Sequence, residues 1–142
     1  MAAMTQERKV QKLSERTVVD LLYQPMKANA RIYLGAIAVL NAGYVAPGTS
    51  AKDLVALGIA EETIDNTGGA DGARFAPVRQ GAFKLANSLG PDAITQADVG
   101  KDCFIVDDQT VARTDGGGAR SRAGKVVQLE PDGVFVQLGI GL

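Results

Sequence analysis

The sequence predicts an all-β chain, a small antiparallel β-barrel or sandwich with an extended, partly helical N-terminal arm. Three observations carry that prediction. Between Gly100 and Leu138, short β-branched and aromatic runs alternate with turn dipeptides, the pattern of consecutive antiparallel strands. The 142 residues include 17 glycines, many set between short apolar runs, which favours many turns over a helical bundle. After residue 30 no segment keeps a helical period. The length suits one domain with an appendage, so residues 1–30 are assigned to an arm and residues 31–142 to the β-domain.

Taken in order, the arm comes first. Val10, Leu13, Thr17 and Leu21 fall at helical spacing, which predicts a short amphipathic helix from Thr5 to about Glu15. Thr17 to Tyr23 reads equally well as a strand, and Gln24-Pro25 ends either element. So many charges and so few apolar residues cannot form a core, so the arm is read as ordering against something else. The body opens with the small-residue run from Arg31 to Ala46, closed by Pro47-Gly48-Thr49-Ser50, where glycine in a strand marks a bend or close packing.

Leu54 to Glu62 is a second strand candidate, and Asp65 to Gly72 is a loop by composition. Ala73 to Leu85 breaks strict alternation, which predicts a bulge near Pro77 or Gly81. Asn87 to Gln96 is a connection. Cys103–Val106 and Thr110–Ala112 flank a reversal at Asp107-Asp108-Gln109. Lys125–Glu130 and Val134–Leu138 flank Pro131-Asp132-Gly133, where proline presets φ and glycine is expected to take the positive φ that closes the hairpin. The count is six to eight strands.

Net charge is −1, which argues against a general nucleic-acid binder. It is unevenly placed. Residues 1–31 hold six Lys/Arg and three Asp/Glu, a net of +3, against nine basic and 13 acidic residues in the remainder, a net of −4. A basic arm on an acidic body points to contact with a neighbouring acidic surface. The start has no apolar core of the kind a secretory signal needs. The longest nearly apolar run, Ile32 to Leu40, is far shorter than the ~20 residues of a spanning helix, so no membrane contact is expected.

No histidine occurs, which removes the Ser-His-Asp and Cys-His arrangements and most zinc sites. The single cysteine, Cys103, excludes an internal disulfide and reads as a buried strand residue beside Phe104. Asp107 and Asp108 read as turn chemistry, since strand neighbours point to opposite faces. Asp65, Asp71 and Asp115 lack the spacing of a calcium loop. Ala119 to Val126 approximates a phosphate-binding loop but has alanine first, valine last and a strand after it, so no helix N-terminus cradles a phosphate. Arg113, Arg120 and Arg122 around it are expected to be solvated. No catalytic, metal or cofactor site is assigned, and the chain is read as a non-enzyme.

Leu57-Gly58-Ile59-Ala60, Val78 to Leu85, Ala97 to Gly100, Asp107 to Val111 and Ala123-Gly-Lys-Val126 with the final hairpin follow one another in an order that resembles the tailed-phage head decoration, or cement, proteins. The resemblance covers roughly residues 54–138. It implies a compact β-barrel that trimerises at three-fold positions of an icosahedral shell. It also implies binding to the major capsid protein, a place on the virion surface, and a passage through the host cytoplasm during assembly. Some relatives carry a recombinase label, which the failed phosphate loop argues against here. The long charged N-terminus departs from the family pattern, and with the arm gripping the capsid, Leu13, Val18, Val19, Leu21, Leu22 and Tyr23 are its expected apolar anchors. Two alternatives stay open: another virion subunit, of the head–tail joint or tail tube, and a small trimeric enzyme acting on nucleotides through Asp65–Gly72 and Asp115–Gly118.

Overall fold

A computed structural model describes residues 3–10, 13 and 19–142. Among them the chain is all-β. Strands run β1 Leu21–Pro25, β2 Arg31–Ile32, β3 Ile37–Asn41, β4 Tyr44–Pro47, β5 Val55–Ala60 and β6 Ile64–Asp65. After them come β7 Phe75–Arg79, β8 Gly81–Asn87, β9 Asp102–Ile105, β10 Thr110–Ala112, β11 Arg122–Glu130 and β12 Gly133–Leu138. Two single 3-10 turns, Gly90–Asp92 and Gln96–Asp98, lie in the connection after β8. The second is fixed by Asp98, whose buried carboxylate takes the Thr95 N–H at 2.8 Å as a capping box.

Two strand systems share the molecule. β10-β8-β12-β11-β9 close into a five-stranded barrel, antiparallel throughout except for β10 on β8. β1-β7-β5-β3-β4 form an antiparallel sheet, and β2-β6 a small ribbon. The sheet curls until its two edge strands meet at one point, a parallel bridge between Met26 and Val45 with the Lys27 N–H on the Val45 carbonyl at 2.9 Å. Side-chain alternation then gives each system its core. Ala36, Ala38, Val45, Leu57, Ala60, Ala76 and Val78 fill the inside of the curled sheet with Met26 and Ile32, and Leu22 packs against them. Ile37 and Val39, on the other face of β3, join Cys103, Ile105, Val111, Val126, Val134, Val136 and Leu138 in the barrel core. The curled interior takes four alanines because a narrow tube has little room for larger side chains.

Several expectations need correction. Leu21–Pro25 is the edge strand of the sheet, paired with β7 from Leu21↔Arg79 to Pro25↔Phe75, so paired structure starts ten residues before Arg31. Of the two readings of Thr17–Tyr23, the strand is the one found for its described C-terminal part. The helix expected over Thr5–Glu15 is absent from residues 5–10 and 13, and its other residues lie outside those described. Val10 and Leu13 are exposed, and a short helix without a packed face is marginal in water. Among the described residues there are twelve strands, against the expected six to eight.

No bulge interrupts Ala73–Leu85. The chain leaves the sheet after Arg79 and enters the barrel at Gly81, so the broken alternation marks a change of sheet at Gln80. Irregular registers occur instead at Ala38/Val39, Arg122/Gly124 and Val126/Gln128. The final hairpin turns on Pro131-Asp132, as read, but Gly133 does not take a positive φ. Glycine is needed there because a Cβ would sit 2.8 Å from the Leu85 carbonyl oxygen. The β3–β4 hairpin turns on Ala42-Gly43 with φ of 51° and 89°, the backbone of a type I′ turn whose alanine gave no turn signal.

Candidate interaction surface

The six apolar anchors expected on the arm do not share one environment. Leu13 is 78% exposed, as are Met4 and Val10 at 65% and 68%, among the charges of Glu7, Arg8 and Lys9. Val18 lies outside the described residues. Val19 is half-buried, its carbonyl held by the Gln80 side-chain amide at 2.6 Å. Leu22 turns inward against the sheet core. Leu21 and Tyr23 alternate with it and face outward, with Tyr23 66% exposed.

Across the ladder, Tyr23 lies opposite Pro77 and Pro25 opposite Phe75, so Leu21, Tyr23, Pro25 and Phe75 line the outer face of β1–β7 as a stripe, while Pro77 is buried. Phe75 is itself 58% exposed. Arg79 ends the stripe, paired to Glu61 at 2.6 Å. Exposed aromatic side chains on a rigid strand pair are the residue type enriched at protein interfaces. Sequence reading found Tyr23 but missed Phe75, because only the register places the two on one face.

Gln80 fixes the geometry where arm and body meet. Its backbone N–H donates to the Asp20 carbonyl at 2.8 Å, its side-chain amide to the Val19 carbonyl, and its side-chain oxygen accepts the Ile140 N–H at 2.6 Å. One buried side chain therefore ties the root of the arm to the C-terminal tail at the point where the chain changes sheet.

The residues weighed for chemistry take structural parts within one copy. Asp107 accepts the Gln109 N–H at 2.9 Å, as a turn requires. Asp65 is held by Thr67 and by Arg31, and the Thr67 hydroxyl followed by the Arg31 guanidinium keeps its carboxyl well below the usual range. Asp71 accepts the Ala28 N–H at 2.7 Å and Asp115 the Gly117 N–H at 3.1 Å.

The three arginines expected to be solvated are all ion-paired: Arg113 with Asp98 at 3.3 Å, Arg120 with Asp92 at 3.2 Å, and Arg122 with Asp102 at 2.8 Å. Lys125, the lysine of the failed phosphate loop, shares Asp102 at 2.8 Å, and the two cations, Lys125 first, lower the Asp102 pKa. Among the described residues no group of three or more His, Cys, Asp or Glu is placed to hold a metal ion.

Cys103 is fully buried on β9, and burial pushes its thiol up to about 12. A thiol so placed has almost no thiolate at neutral pH. Native protein is therefore expected to resist a thiol-reactive dye for hours and to react within minutes once unfolded in guanidinium. Fast labelling of the native chain would show that β9 opens.

Comparison with known proteins returns no matching family model, no matching curated protein and no matching solved structure.

Proposed function

We propose that this chain is a decoration protein of a tailed-phage head, binding the outside of the icosahedral shell as a homotrimer and stabilising its expanded state. The observation that carries the reading is the arm: exposed Met4, Val10 and Leu13 set among Arg8 and Lys9, ahead of a rigid β-body of opposite charge. Apolar side chains exposed along a charged tail gain free energy only where a second surface covers them. The order of β-segments from Leu57 to the last hairpin supports the same family reading.

The mechanism is differential binding. A trimer that bridges neighbouring capsomers in the expanded lattice, and fits the precursor lattice less well, shifts the shell toward the expanded state by the difference in affinity. Three arms on one trimer add avidity to a weak single grip. The grip is assigned to residues 3–18, including Leu13 and Val18. Leu22 has an internal partner already.

Removing residues 3–18 tests the proposal. The cut stops before Val19, so the strand and its Gln80 contacts are spared. Losing the burial of two apolar anchors at about 1.5 kcal/mol or more each predicts at least a tenfold fall in affinity for purified expanded shells, with an unchanged melting temperature. Full occupancy by the truncated protein would remove the arm from the mechanism. Failure of the intact protein to bind any expanded phage shell would remove the function.

A further inference from the structure

The free edge of β1 carries a self-complementary set of backbone groups. Asp20 accepts from the Gln80 N–H and Met26 donates to the Arg74 carbonyl, so the even-numbered residues of this strand make the ladder to β7. The N–H and C=O of Leu21 and Tyr23 therefore point the other way. No described residue hydrogen-bonds to them. Beyond them the edge is closed, by Pro25, which lacks an N–H, and by the bridge from Met26 to Val45. An edge with two donors and two acceptors that no described residue takes remains, beside the exposed Tyr23 ring, the arrangement that natural sheets ordinarily cover or blunt.

We infer that this edge pairs with the same edge of a second copy, antiparallel about Leu22. That register sets Leu21 of one copy opposite Tyr23 of the other, and two-fold symmetry repeats the pair. Residues opposed in this way exchange both of their hydrogen bonds, so all four free groups of each copy are satisfied and none is left over. On the outer face each Tyr23 ring lies against a Leu21 side chain of the second copy, a favourable cross-strand pair. An unrelated strand would be limited by the same closed end at Pro25, whereas a second copy brings an edge of matching length.

The inference stands apart from the shell reading. Within that reading the two-fold joint would link one trimer to the next and leave the arms free for the shell.

Residue-resolved hydrogen exchange on the full chain over a concentration series, with mass measured in parallel, tests it. The expected result is fast exchange of the Leu21 and Tyr23 amides in dilute solution and slow exchange as the mass of the basic unit doubles. Tyr23→Pro removes an edge donor that β7 does not use and should abolish both changes, and Tyr23→Lys, which places a charge at the joint, should do the same if the proline variant folds poorly. Fast exchange at every concentration overturns the inference. So does protection independent of concentration, which would assign the edge to the chain's own arm, and so does protection seen only on added shells, which would assign it to a capsid strand. Shell occupancy of Tyr23→Pro keeps the two proposals separate, because loss of doubling with normal occupancy supports this joint alone.

Discussion

Gly124→Ala is expected to destabilise the protein by about 3 kcal/mol or more, the range of substitutions that force a buried clash. A Cβ at Gly124 would lie 1.9 Å from the Gln137 carbonyl oxygen and 2.9 Å from its carbon. Neither atom belongs to a flexible side chain. Gln137 is held between Lys125 on β11 and Ala82 on β8, so its carbonyl cannot yield without opening two ladders of the closed barrel. Gly124 also sits at the register shift between β11 and β9, where the ladder is already irregular. For a chain of this length the change corresponds to a fall in melting temperature of roughly 10 °C, readable by circular dichroism. Gly117→Ala is the comparison: nothing lies within 4 Å of its Cβ, but φ is +74°, so the cost there is the backbone penalty of about 1 kcal/mol. Equal melting temperatures for the two variants would show that the barrel tolerates the displaced carbonyl.

Gln80→Leu is expected to release both ends of the body together. The substitution keeps much of the side-chain volume but removes the donor to Val19 and the acceptor for Ile140. Each partner left unpaired costs about 1–3 kcal/mol unless it opens to water. Opening is the cheaper course here, because the tail after Leu138 and the arm root before Leu21 are only partly covered. Exchange of the Ile140 amide should accelerate at least tenfold, and proteolysis should begin on both sides of the body while the barrel stays folded. Gln80→Glu separates the two contacts, since a carboxylate still accepts from Ile140 but no longer donates to Val19. Unchanged protection at Ile140 in Gln80→Leu would mean that the tail is held by other contacts, such as the Arg122 guanidinium on the Leu142 carbonyl at 2.8 Å.

How much of this was legible depended on how local each signal was. Pro131-Asp132 and Asp107-Asp108 announce their turns by chemistry that acts over four residues, and the strands beside them fall close to where the sequence placed them. The change of sheet at Gln80 left only a broken alternation, which a bulge would also produce. Gly133 gave the right residue for a different reason, a close approach to Leu85 across the barrel. Arg120 and Arg122 find Asp92 and Asp102 from 28 and 20 residues away, a separation that no loop composition reveals. The apolar character of Leu21 and Tyr23 is visible in the sequence, but which of their neighbours turns inward, and which backbone edge β7 leaves unpaired, follow only from the pairing with β7.

The clasp at Gln80 also bears on engineering. Because one side chain touches the backbone just before the first strand and just after the last, entry and exit of the folded body are neighbours in space. A cargo fused behind Leu142 would emerge beside the arm and compete with it for room. Joining the two ends by a short linker, with new termini opened between the exposed Gly116 and Gly117, would give a circular permutant that presents its cargo elsewhere.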